Sequence, residues 1–422
     1  MQRHLGVLAP ATALLSCALA LYACSSDSPS ATNGPDGGPL PGADGSSGGD
    51  GSSDPDARVD GNPDPDGAVD GAVEGEAAVD ADIDAGPPVV RFIGRFDMAA
   101  AGGPKVAWPG AQIIARFSGT TEVKATFNDV KLYGDYGPDR WEVLVDGASA
   151  QIISPPQNAQ TTFSLASGLS MAAHTVEVVK LTEGSVGTAQ FFGFDFTGGT
   201  LLPPPPALKR HMQFLGDSGA NGYGVDGVAP CSFSGATQNE RKSYPALIAH
   251  DLLADHHNLG ASGKGVSENY TPGDNDVFSV LYPLTGVYSG APAWAYADYT
   301  PDVVWITLGG NDFDGAQAPA SPPTFETAYN ALVGTIRTQH PGAHIFCAVA
   351  PSLTGAAYTN VKTRAQNVVG TRNGGGDAKV YFFEFARSQN GETTACDGHV
   401  NAAKHRTMAD EAITLIKQKT GW

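Results

Sequence analysis

HMQFLGDSGANGYG, residues 211–224, is the stretch from which the rest of the 422-residue chain can be read. Met212 to Leu215 is a short apolar run that breaks at Gly216-Asp217-Ser218. A buried strand ending in such a turn carries a serine hydroxyl to the carboxyl edge of a sheet, where open α/β sheets bind ligands. A serine there becomes a nucleophile only if a base takes its proton, so the chain must also supply a histidine and donors for an oxyanion.

Around this stretch strand and helix alternate, which implies a parallel sheet flanked by helices over residues 208–422. Strands are predicted at 212–215, 303–308, 344–350 and 380–385, with a short one near 257–260. Helices are predicted at 244–255, 325–339, 359–369 and 401–419. Phe325, Tyr329, Leu332 and Ile336 share one helical face; Met408, Ala412, Leu415 and Lys419 form another stripe, with Ile413 and Ile416 beside it. Residues 267–298 show no clear period and read as a long substrate-facing loop.

Residues 89–203 have a different texture. Runs at 91–96, 111–117, 122–128, 140–145, 161–165, 174–181 and 190–196 are rich in Val, Ile, Thr and Phe, with Gly, Pro and Asp between them. Many short strands at regular spacing argue for an all-β sandwich. His174 opens one of these strands and reads as structural. Pro203-Pro204-Pro205-Pro206 is stiff and extended and marks the boundary between the two domains.

At the N-terminus, Arg3 precedes an apolar run from Leu5 to Tyr22, and polar low-complexity sequence follows at once, as in an export signal rather than a membrane span. Leu21-Tyr22-Ala23-Cys24 resembles a bacterial lipobox, which implies lipidation of Cys24 and attachment to a membrane surface. Leu14-Leu15-Ser16-Cys17 is a weaker competing site, and plain secretion is the alternative. The expected location is the cell envelope, at the outer membrane or cell surface, or outside the cell. Residues 25–88 are Gly, Ser, Asp, Pro and Ala; they cannot bury enough apolar surface to fold and read as an extended tether. Their Asp-Gly repeats lack a full calcium ligand set. Residues 25–90 hold 15 Asp and Glu against one Arg, so −14 of the net −19 lies there. The near balance elsewhere gives no reason to expect a nucleic-acid partner.

Four pieces fall at the ends of predicted strands or in the loops that follow: Gly216-Asp217-Ser218, Ala261-Ser262-Gly263-Lys264-Gly265, Leu308-Gly309-Gly310-Asn311-Asp312 and, just before the last helix, Cys396-Asp397-Gly398-His399. Each alone is a common turn; their order and placement together are specific. They resemble the blocks of the SGNH (GDSL-type) hydrolases. A sandwich followed by such a domain resembles carbohydrate esterase family 2, whose members deacetylate polysaccharides. Supporting phrases are Ile93-Gly94-Arg95-Phe96, Trp108-Pro109-Gly110, His174-Thr175-Val176 with Lys180 and Glu183, Gly222-Tyr223-Gly224 and Gly421-Trp422.

The resemblance implies a jelly-roll-like sandwich followed by a flavodoxin-like three-layer SGNH-hydrolase domain. It implies Ser218 as nucleophile and His399 as base. It also implies an oxyanion hole from the N–H groups of Ser218 and Gly263 and the Asn311 amide, with no metal or other cofactor. The expected substrate is acetylated polysaccharide. Other acyl esters, acetylated peptidoglycan, or a non-catalytic carbohydrate-binding role are the alternatives. Asp397 stands two residues before His399 where the superfamily spaces three, so either Asp397 or a backbone carbonyl orients the imidazole. The family's aromatic residue before the histidine is replaced by Gly398, with Tyr223, Tyr270 and Trp294 as candidate substitutes; Val400 stands where the family has proline. His405 reads as a surface residue, His256-His257 as solvent-exposed, and Asp312 as shaping the turn after Asn311. Five cysteines do not make a disulfide framework. Export permits a Cys231–Cys396 bridge, and Cys347 reads as a buried thiol.

Overall fold

The computed structural model describes residue 87 and residues 89–422 except 133 and 316–318. These fall within one compact unit. The predicted signal and Cys24 in residues 1–24, and the tether over 25–88 apart from residue 87, lie outside the described residues.

Two-residue alternation builds the first domain. In Glu122–Val130, Val123, Ala125, Phe127 and Asp129 are buried, and the residues between them are more exposed. The strands are β1 (Arg91–Ile93), β2 (Lys105–Val106), β3 (Gln112–Ser118), β4 (Glu122–Val130), β5 (Trp141–Val145), β6 (Ala148–Ile153), β7 (Thr161–Ser167), β8 (His174–Lys180), β9 (Thr188–Asp195) and β10 (Thr200–Leu202). One sheet runs β1-β3-β8-β5-β6, with β10 also on β3; the other runs β2-β9-β4-β7. Phe117, Phe127, Trp141, Val178 and Phe191 are among the residues of the core they share. β10 is not in the predicted set: residues 200–202 pair antiparallel with β3 before the prolines begin.

The second domain has five parallel strands, β11 (Arg210–Gly216), β12 (Ala254–Gly260), β13 (Val303–Thr307), β14 (His344–Val349) and β15 (Val380–Glu384), in the order β12-β11-β13-β14-β15. The helices are α1 (Tyr244–Asp251), α2 (Phe278–Leu281), α3 (Gly310–Phe313), α4 (Pro322–Gln339), α5 (Gly355–Gly374) and α6 (Ala402–Thr420). Helices cover both faces, so β13 is buried throughout. Val303 and Trp305 pack with Tyr244, Ile248, Met408 and Ala412, while Val304 and Ile306 pack with Phe325, Tyr329, Leu332 and Val361. The chain leaves β11 in one direction for β12 and later in the other for β13. Sheets of this order open a ligand crevice at the carboxyl ends beside that switch point.

Several sequence expectations change. β12 runs from Ala254 and is buried along its whole length, so His256 and His257 are interior residues at 5% and 4% exposure. His256 Nε2 meets Glu240 Oε1 at 3.0 Å, and the His257 ring stacks on Tyr299 at 3.6 Å. His405 is also buried, at 1% exposure; its Nδ1 accepts the Tyr244 N–H at 3.2 Å. Burial pushes the His405 pKa down to about 3, so its ring is neutral. A neutral imidazole with a partner for its nitrogen tolerates an interior that a charged one does not. The 267–298 stretch is only partly loop: α2 puts Phe278 and Leu281 in the core, with Tyr282 and Val287 nearby.

Candidate active site

Gly216, the last residue of β11, has no room for a side chain; an added Cβ would stand 2.5 Å from the Ala220 methyl. Asp217 then accepts the Gly219 N–H at 3.0 Å and caps the turn Ser218–Ala220, which turns the serine out at the sheet edge. The last helix begins at Ala402, capped by Asn401, which accepts the Lys404 N–H. His399 lies on the approach to it.

Ser218 Oγ and His399 Nε2 are 2.8 Å apart, although the two residues are 181 positions apart in the chain. His399 Nδ1 lies 3.2 Å from the Cys396 carbonyl oxygen. A carbonyl can only accept, so Nδ1 carries the proton and Nε2 is left to accept the serine hydroxyl. Burial lowers the His399 pKa, against the Cys396 hydrogen bond and the Asp397 charge. The ring is therefore a neutral base at pH 7.

Asp397 does not orient His399 through its side chain. It sits at φ 52°, ψ 31°, in the left-handed region that aspartate tolerates. That conformation turns its carboxylate onto the Tyr223 hydroxyl and the Phe233 N–H, both at 2.9 Å, and leaves the preceding carbonyl facing the imidazole. The two-residue spacing thus gives a Ser-His dyad held by backbone. Tyr223 stacks on His399 at 3.9 Å and on Phe233 at 4.3 Å, so it fixes the base from one face. Cys231 and Cys396 are bonded to each other and tie the two segments of this cluster together. Cys347 is a buried free thiol. Asp397→Asn is expected to cost less than about tenfold in kcat/KM, since a true orienting acid would cost about 10⁴-fold. Steady-state rates on a nitrophenyl acetate decide between these outcomes.

The remaining blocks meet the dyad. Gly309, at φ +119°, turns the chain after β13; an added Cβ there would lie 2.9 Å from both Phe325 and Val361. Asn311 follows, and its side-chain amide donates to the Lys264 carbonyl at 2.9 Å, leaving its second hydrogen for a ligand. Asp312 accepts the N–H groups of Val266, Ser267 and Glu268 at 2.7–2.9 Å, so its carboxylate anchors the loop after β12. No described protein acceptor takes the N–H of Ser218 or Gly263. Asp217, Ser218, Asn311, Leu353 and His399 are among the residues lining a cavity of about 360 Å³. Tyr270, 48% exposed, stands on its wall. Trp294 does not; it packs against His257 and Arg95. His174 lies on the sandwich, between Asp146 at 2.7 Å and Ser170 at 2.9 Å.

The carbohydrate esterase 2 N-terminal family matches residues 92–206, and the GDSL-like lipase/acylhydrolase family matches residues 214–407. A solved family-two carbohydrate esterase from Clostridium thermocellum, in complex with cellohexaose, is 36% identical. The match covers 79% of this chain and all of that one, with a TM-score of 0.73. The chain belongs to carbohydrate esterase family 2. Its members are carboxylic ester hydrolases. The cellulase/esterase CelE of Acetivibrio thermocellus is 37% identical over 338 residues, 79% of this chain; the chain spans only 40% of its length. An acetylxylan esterase/glucomannan deacetylase of Cellvibrio japonicus is 25% identical over 346 residues, 81% of this chain and 91% of that protein. In this family-two chain the stacking of Tyr223 on His399 escaped the sequence reading. Tyr223, a candidate substitute for the aromatic residue missing before His399, instead has its ring stacked on His399 and Phe233.

Proposed function

We propose that this chain is a serine esterase that removes acetyl groups from O-acetylated polysaccharide of the xylan or glucomannan type. The observation that carries it is the 2.8 Å contact of Ser218 Oγ with a neutral, backbone-oriented His399, at a cavity that Asn311 also lines. His399 Nε2 takes the hydroxyl proton as Oγ attacks the acetyl carbonyl. The N–H groups of Ser218 and Gly263 and the Asn311 amide receive the oxyanion. His399 returns the proton to the departing sugar oxygen, leaving acetyl-Ser218. Water then gives a proton to His399 Nε2 and attacks the acetyl carbon; His399 passes that proton to the departing Ser218 Oγ, and acetate leaves. The names of the Cellvibrio relative and the cellohexaose complex of the Clostridium one support a polysaccharide substrate.

The N-terminal sequence supports export and a lipid anchor at Cys24. Among the described residues no helix is long and apolar enough to cross a membrane. Acetate release from acetylated xylan and glucomannan is expected, with acetyl esters favoured over longer acyl nitrophenyl esters. Turnover confined to long acyl chains or to acetylated peptidoglycan would refute the substrate class, and glycan binding with no turnover would refute the enzyme.

A further inference from the structure

The two backbone donors assigned to the oxyanion sit on separate segments, the turn after β11 and the loop after β12. The side chain that joins those segments belongs to neither. Glu183 follows β8 in the first domain and is 1% exposed. Its Oε2 accepts the side-chain amide of Asn221 and the backbone N–H of Ser262, each at 2.7 Å. Asn221 closes the serine turn, its own N–H donating to the Ser218 carbonyl at 3.2 Å. Ser262 immediately precedes Gly263.

Neither side of this link has slack. An added Cβ on Gly260 would stand 1.6 Å from Asn221 Oδ1, so the Asn221 amide lies directly against the end of β12. Across the link, the Glu183 N–H donates to Gln238 Oε1 at 3.0 Å. An added Cβ on Gly184 would meet Val287 at 2.3 Å. Lys180, just upstream, is pinned in the interior by Asp139 at 2.6 Å and the Thr182 carbonyl at 2.7 Å. Burial pushes the Glu183 carboxyl above the usual glutamate range, and the bonds from Ser262 pull it back.

We infer that Glu183 is a positioning residue for the oxyanion hole, through which the β-sandwich sets the spacing of the Ser218 and Gly263 donors. The inference rests on the esterase reading above. Displacing such donors by about 1 Å costs on the order of 10²-fold, because they act only when aimed at the developing charge.

The test uses the whole chain on a nitrophenyl acetate. Glu183→Ala is expected to lower kcat by about 10- to 100-fold with KM changed less than about twofold. Glu183→Gln has the same reach and keeps one oxygen to accept both N–H groups, so it should recover to within about threefold of wild type. Arg91→Ala is the control: it removes the ion pair with Asp255 at the opposite end of β12, and should lower Tm while leaving kcat intact. Wild-type kcat in a folded Glu183→Ala overturns the inference, as does an equal kcat loss in Arg91→Ala at matched Tm. If Glu183→Ala does not fold, Glu183→Asp and Glu183→Gln decide. Aspartate keeps the charge but loses reach, so it must be slower than glutamine, and the reverse order overturns the inference. A wild type without activity overturns the esterase reading and this inference with it; an active wild type beside an equally active Glu183→Ala overturns the inference alone.

Discussion

Ser218→Ala is expected to lower kcat on an acetyl ester by about 10⁶-fold, with the melting curve almost unmoved. In a dyad the two groups act as one unit: without Oγ there is no bond to form, and without Nε2 there is no base to free it. His399→Ala should therefore cost about as much as Ser218→Ala, and the double variant should cost little more than either. Residual catalysis of about 10³-fold over water would come from the oxyanion donors and substrate binding. Stability should hold because, among the described residues, the serine hydroxyl hydrogen-bonds only His399, at a cavity that water can enter. Single-turnover release of nitrophenol measures the loss, and trapping of an acetyl group on wild-type Ser218 by mass spectrometry checks the intermediate. Activity within about tenfold of wild type in Ser218→Ala would remove it as nucleophile.

Ser218 and His399 are legible in the sequence because they stand in short marked turns, whereas some of their supports are held by contacts far apart in the chain. β13, Val303–Thr307, is covered on both faces and so appears as an unbroken apolar run. β12 is buried just as completely, yet it spells Ala-Asp-His-His-Asn-Leu-Gly. Several of its polar groups are met by partners from distant segments: Glu240 for His256 Nε2, and the Ala220 carbonyl and Glu240 for the Asn258 amide N–H groups. Periodicity cannot see such partners, so the strand was predicted short and its histidines exposed. The Asp397 question has the same character. Spacing narrowed the orienting group to a carboxylate or a carbonyl, and the left-handed backbone at residue 397 selects the carbonyl. Glu183 was noticed only as part of a phrase, because what it does depends on a contact between domains.

Asn311→Ala is expected to lower kcat by about 10²- to 10³-fold, or about 2.7–4 kcal/mol of barrier, with KM nearly constant. The reason for the split is that a donor aimed at the oxyanion stabilises the tetrahedral state far more than the planar ester. Asn311 has a second duty, its bond to the Lys264 carbonyl, so part of the loss could arise from a loosened loop rather than a missing donor. Asp312 separates the two explanations. Its carboxylate keeps hold of Val266, Ser267 and Glu268 whatever stands at 311, so the loop retains its main anchor. Asn311→Asp sharpens the test: it keeps the size but removes the amide donor and turns a carboxylate toward a developing negative charge. It should be at least as slow as alanine while melting within a few degrees of wild type. If aspartate at 311 instead restored most of the rate, the amide would not be an oxyanion donor, and the hole would consist of the two backbone N–H groups alone.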